Sequence, residues 1–148
     1  MKSCVHLVDA KHDVKNPLLT RCTYGIVWTA STSVSQDSSA LTLAVQPSDT
    51  WREMWVFQKS GKGWDVNVVP PGLDAVSIGY IEFAGWTSSA KNLLAAREVK
   101  KAGRYTTSFE VLHRDTLVTD KHADKPSSLS TFYRWQDPLW KAKTVSLR

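Results

Sequence analysis

Four histidines, His6, His12, His113 and His122, are the side chains of this 148-residue chain best suited to bind a metal or move a proton, and none is spaced for that work. A zinc site on one helix face needs a His-Glu-x-x-His string, and the nearest ligand pair here is His122-Ala-Asp124, inside a Lys, Asp, Pro and Ser loop that water accounts for. A hydrolase serine sits in Gly-x-Ser-x-Gly on a strand-to-helix turn; Ser60-Gly61 and Thr87-Ser88 lie in no such frame. The carboxylates Asp9, Asp13, Asp37, Asp49 and Asp65 fall at or beside predicted turns, where an Asp closes its own backbone instead of working in an acid-base pair. Gly61, Gly63, Gly72 and Gly103 are hairpin or linker glycines, not a phosphate cradle. These spacings lead us to expect no catalytic residue, no metal set and no cofactor.

Binding chemistry is better represented. Seven tryptophans stand at 28, 51, 55, 64, 86, 135 and 140. Trp28, Trp55, Trp86 and Trp140 read as flat fillers between packed sheets, each removing roughly 150–250 Å² from water. Trp51 differs, because it precedes Arg52 at a turn edge, and Arg104-Tyr105 repeats the combination further along. An aromatic beside an arginine on a rim stacks on a base, a sugar or a peptide. The candidate binding residues are therefore Trp51, Arg52, Arg104 and Tyr105, with plain rim packing as the competing reading.

Those residues need elements to hold them. The stretch FAGWTSSAKNLLAARE, Phe83 to Glu98, has the composition of a helix but aligns with SVSQDSSALTLAVQ, Ser33 to Gln46, at an offset of 52. In the upper copy Leu41-Thr-Leu-Ala-Val alternates β-branched and apolar residues up to Pro47, which no helix passes. Gly25-Ile-Val over Gly79-Tyr-Ile and Trp51 over Tyr105 continue the relation at 54, with the two-residue slack expected in polar connections. The lower copy is thus strand, turn, strand. Four strands per copy follow: 25–30, 40–45, 53–58 and 64–69, then 80–85, 93–99, 108–113 and 117–120. At the N terminus 4–9 and 15–20 read as two strands, and at the C terminus Trp140 and Thr144 to Leu147 fall where first and second strands of a further unit belong. Cys4 and Cys22 flank the N-terminal hairpin and could face each other across it; two free, half-buried thiols are the expectation, a disulfide the alternative.

Ser35-Gln-Asp-Ser-Ser-Ala-Leu-Thr-Leu and Trp86-Thr-Ser-Ser-Ala-Lys-Asn-Leu-Leu resemble the aromatic-Ser-Pro-Asp-Gly-Lys turn that joins the first two strands in TolB-like, WD-repeat-like β-propeller blades, and Asp137-Pro-Leu-Trp140-Lys resembles the approach to it. The resemblance implies an all-β segment of a bacterial propeller, often exported, with no catalytic residues. Four antiparallel strands at a period near 53 residues are one blade. The chain then divides into a half blade over 1–23, complete blades over 24–72 and 73–125, and a half blade over 126–148, an incomplete ring.

Function follows as expectation: a non-catalytic scaffold that binds a protein or peptide. The alternative is the substrate-gating propeller of a hydrolase whose catalytic domain lies elsewhere. A net charge of +5 with scattered Lys and Arg makes a nucleic acid the weaker partner, and exposed blade edges make self-association a further expectation. No stretch approaches the ~18 apolar residues of a membrane span. The N terminus is not a signal peptide, so export would depend on sequence outside this chain and residence would otherwise be cytoplasmic.

Overall fold

The computed structural model describes residues 1–61, 63–72, 78–88 and 91–143. Its strands are β1 (Ser3–Leu7), β2 (Leu19–Thr23), β3 (Ile26–Val34), β4 (Ala40–Ser48), β5 (Trp51–Ser60), β6 (Gly63–Val69), β7 (Ile78–Trp86), β8 (Asn92–Lys101), β9 (Arg104–His113) and β10 (Thr119–Ala123). Two short helices close the described chain, α1 (Ser130–Trp135) and α2 (Pro138–Lys143). The helix-like run after Phe83 is strand, as β7 and β8, because Leu93, Leu94, Ala95 and Ala96 are all fully buried between neighbours on both faces. Burial on two faces outweighs the helix propensity of Leu and Ala.

β3–β4–β5–β6 and β7–β8–β9–β10 are two antiparallel meanders. A short parallel link joins them, Trp51 opposite Gly79 and Arg52 opposite Tyr80. The sheet path runs from β10 to β3 and is open at both ends, with β6 branching from β5. The register of the first strand pair repeats. Ile26–Gln46, Trp28–Ala44, Ser33–Thr42 and Val34–Leu41 become Tyr80–Glu98, Glu82–Ala96, Gly85–Leu94 and Trp86–Leu93. The expected slack in the polar connection lies instead within β3, where Thr29 to Thr32 bulge out of the ladder and β7 has only Ala84 unmatched.

The layers stack face to face. Val5, Leu7 and Leu19 of the separate β1–β2 hairpin cover Leu43, Val45, Trp55 and Phe57 of the first meander. The opposite face of that meander, through Met54, Val56 and Val69, meets Ile81, Leu93, Ala95 and Leu112 of the second. The far face of the second, Ala84, Leu94, Ala96, Phe109 and Val111, is covered by Phe132 and Trp140 of the helices. Each sheet thus turns the same side toward the element before it: Leu41 and Leu43 toward the hairpin, Leu93 and Ala95 toward the first meander.

Three expectations are corrected. The C-terminal stretch 126–148 is not a pair of strands where it is described: Pro126–Ser128 is a 3-10 turn, followed by α1 and α2. Asp137 starts α2, its Oδ1 accepting the Leu139 amide at 2.9 Å and its carbonyl the Lys141 amide at 3.0 Å, with Pro138 in the first turn. Trp140 fills the core from that helix, its ring 5.5 Å from Phe132 and 6.4 Å from Phe109; the strand expected at 144–147 lies outside the described residues. Second, Cys4 and Cys22 are disulfide-bonded instead of free, being directly opposite in the hairpin register, with sulfurs 2.04 Å apart. Third, the hairpin's second strand begins at Leu19, not Lys15, because Asp9 and Asp13 hold the loop with side-chain bonds to the Lys11 and Lys15 amides.

Candidate binding site around Arg52

Arg52 is the second residue of β5, at the corner where the two meanders touch. Its guanidinium carbon lies 5.9 Å from the Trp28 ring centroid and 5.4 Å from that of Tyr80. Trp28 comes from β3, two strands away through the Trp28–Ala44 and Ala44–Met54 pairs, while Tyr80 is the direct parallel partner on β7. The cation is held by two aromatic rings and by no acid: among the described residues it forms no ion pair, and its Nε is buried without a hydrogen-bond partner.

The arginine lines a groove of about 330 Å³. The β3 bulge makes one wall, with the small residues Ala30 to Ser33, and Ile81, Glu82 and Phe83 of β7 with Leu139 and Trp140 of α2 make the others. Hydroxyls hold the bulge open: Ser31 Oγ donates to the Trp28 carbonyl at 2.5 Å and accepts from the Ala44 amide at 2.8 Å, and Thr32 Oγ1 donates to the Thr29 carbonyl at 2.7 Å. The Trp86 indole donates to Ser33 Oγ at 3.1 Å, tying that wall to the second meander. Trp28 is 44% exposed and Leu139 65%, so the groove opens to solvent along apolar surface. This corrects the reading of Trp28 as a core filler; Trp55, 1% exposed, is one.

The four candidate residues are not one site. Trp51 pairs with Ser48 and Gly79 beside the groove without lining it. Arg104 and Tyr105 begin β9, opposite Lys101 and Lys100, on a hairpin whose turn residues Ala102 and Gly103 both have positive φ, 52° and 78°. There Lys100 Nζ stands 5.4 Å over an exposed Tyr105 ring. About three strand spacings, roughly 14 Å, separate this tip from the Trp51 end of β5. Trp28, Glu82 and Leu139 line the groove and Tyr80 stands against Arg52 without lining it; they carry no signal in the sequence, since the bulge and the parallel link bring them together.

A larger depression, about 860 Å³, lies beside the hairpin, lined by Met1 and Asp49 and by uncharged residues between them. No group of three or more potential metal ligands occurs among the described residues. His122 and Asp124 sit on β10 and just beyond it, and His113 pairs with Asp120 at 3.5 Å. No helix of the described chain is long and apolar enough to cross a membrane. No family model, curated protein or solved structure matches the chain.

Proposed function

We propose that this chain is a non-catalytic binding module of propeller-type blades, part of a larger ring or stack, and that it holds a protein or peptide segment in the groove around Arg52. The blade reading is supported by the repeated register of the two meanders and by the one-way stacking of hairpin, meander, meander. The binding reading rests on one observation. Arg52 is half-buried between Trp28 and Tyr80 in an open groove and, among the described residues, forms no ion pair, although Glu82 and Asp137 line the same groove. A guanidinium drawn from water without an acceptor costs stability, and an acceptor brought by a ligand would offset that cost.

Random dodecapeptides displayed on phage and selected on the immobilised protein test this. Enriched peptides are expected to fall at least tenfold in retention on Arg52→Gln and Trp28→Ala, and to hold on Arg104→Gln and Tyr105→Ala. Enrichment no better than for phage without an insert, or equal retention on all four variants, overturns the assignment.

A further inference from the structure

We propose that the Cys4–Cys22 bond is a thiol–disulfide exchange site, opened by a dithiol from solution, and that its opening releases the β1–β2 hairpin from the first meander. The site is independent of the Arg52 groove. The two cysteines are directly opposite in the hairpin register, and both are exposed. The apolar contacts of the hairpin are made by the alternate residues Val5, Leu7 and Leu19, on its other face. The bond therefore lies outside the core that it helps to cover, within reach of a solution thiol. His6 and Thr20 form the next pair on the exposed face, Nδ1 and Oγ1 2.9 Å apart. Neither strand carries an acid, and Arg21 stands between Thr20 and Cys22 in β2. Basic surroundings without a carboxylate favour the thiolate, both as it attacks and as it leaves, and exposed disulfides are the ones that exchange.

The exchange balances with the dithiol alone. One of its thiolates attacks a cysteine sulfur, the other cysteine leaves as a thiolate and takes up a proton, and the second sulfur of the dithiol then displaces the first cysteine. Two electrons and two protons pass to the chain, and the dithiol becomes a disulfide. The consequence follows from how little else holds the hairpin. Among the described residues no hydrogen bond or ion pair ties β1 or β2 to the meander. The attachments are Val5, Leu7 and Leu19, and the Arg21 guanidinium 4.9 Å from the Trp55 ring centroid. Two isolated strands of five residues are marginal. The bond closes a loop over 18 residues of sequence and so favours the closed hairpin by on the order of a hundredfold. Leu43, Val45, Trp55 and Phe57 lie beneath it, none more than 5% exposed, and opening bares this apolar face with its two aromatic rings.

The isotopically labelled full chain, titrated at neutral pH with reduced and then oxidised dithiothreitol, tests both halves of the proposal. Free thiols are counted by mass after alkylation of parallel samples, and the indole signals of Trp55 and Trp140 report the hairpin-covered and the helix-covered faces. With the reduced reagent both cysteines are expected to be alkylated, and the Trp55 indole to shift and exchange its hydrogen at least tenfold faster while Trp140 keeps its signal. The oxidised reagent is expected to restore the starting spectrum. The Cys4→Ser/Cys22→Ser variant is expected to show the reduced signals with or without reductant. Thiols that stay unreactive until urea unfolds the chain overturn the exchange site. Alkylation that leaves the Trp55 signal unmoved overturns the release. Loss of the Trp55 and Trp140 signals together overturns it as well, because the bond then holds the whole fold, and so does a double-serine variant with the spectrum of the oxidised wild type.

Discussion

Two residues at the turns carry chemistry that the fold uses for itself. Asp37 sits in the β3–β4 turn, where Ser39 Oγ, Ser35 Oγ and the Ser39 amide donate to it, at 2.6, 2.7 and 3.1 Å. Those donors, the Ser39 hydroxyl first, and in smaller part the positive charge of Arg114, hold its carboxyl well below the usual carboxylate range. A carboxylate whose folded pKa is depressed contributes stability above its unfolded value, near 4, and loses it as pH falls through the folded one. The difference in thermal midpoint between wild type and Asp37→Asn is therefore expected to be flat above about pH 5 and to shrink below about pH 4. A difference independent of pH from neutrality downward contradicts this. Arg114, in the β9–β10 turn, reaches across to the same turn: Nη2 donates to Ser39 Oγ at 2.6 Å and to its carbonyl at 3.2 Å, and Nε to Gln58 Oε1 at 3.3 Å. Its side chain is 12% exposed, so Arg114→Ala is expected to cost about 2–4 kcal/mol in urea unfolding, by stranding these acceptors. Gly85, inside β7, is a position constrained in a different way. Its φ is 155°, and a Cβ there would lie 2.4 Å from the Trp135 carbonyl oxygen, so Gly85→Ala is expected to lift α1 and α2 from β7, costing more than about 2 kcal/mol.

At the scale of elements, the β1–β2 hairpin depends on what surrounds it. Two strands of five residues are marginal alone. The hairpin is held by Val5, Leu7 and Leu19 on the first meander, by Arg21 over Trp55 at 4.9 Å, and by the Cys4–Cys22 bond. That bond spans 18 residues of sequence, a loop whose closure is worth about 3 kcal/mol. The Cys4→Ser/Cys22→Ser variant is expected to show faster amide hydrogen exchange across β1 and β2 before any change in β8; equal protection in both would assign the hairpin's stability to packing alone. Most strands could be read from the chain, because Leu41 to Val45 and their partners alternate and QDSS, KSGKG and KKAGR punctuate them. The C-terminal helices carry a local signal too, since Asp137-Pro138 is a helix-start pair, but Trp140, at the repeat spacing from Trp86, points to a strand instead. The groove was not legible. Arg52 stands out beside Trp51, but Trp28 and Tyr80 meet it only through the β3 bulge and a two-residue parallel link, and neither leaves a local pattern.

The whole molecule is a stack in which the two meanders share one core. Met54, Val56 and Val69 of the first are packed into Ile81, Leu93, Ala95 and Leu112 of the second, so neither face is covered unless the other sheet is folded. The Arg114 clamp and the Trp86–Ser33 bond cross the same boundary in the polar layer. Coupling through a shared apolar face makes the meanders one cooperative unit, unlike repeats joined by weak interfaces, which melt in steps. Leu93→Ala removes a fully buried side chain from that face and is expected to cost about 2–5 kcal/mol. The signals of the first meander, centred on Trp55, and of the helical cover, centred on Trp140, are expected to shift together, with one urea midpoint from fluorescence and from far-ultraviolet circular dichroism. Two separated transitions, with only the Trp140 signal moved by Leu93→Ala, would mean that the second meander and its helices fold on their own. The groove at the corner between the sheets would then open and close with that equilibrium, and a ligand held at Arg52 would raise the midpoint of the first transition, which destroys the groove, and leave the second unmoved.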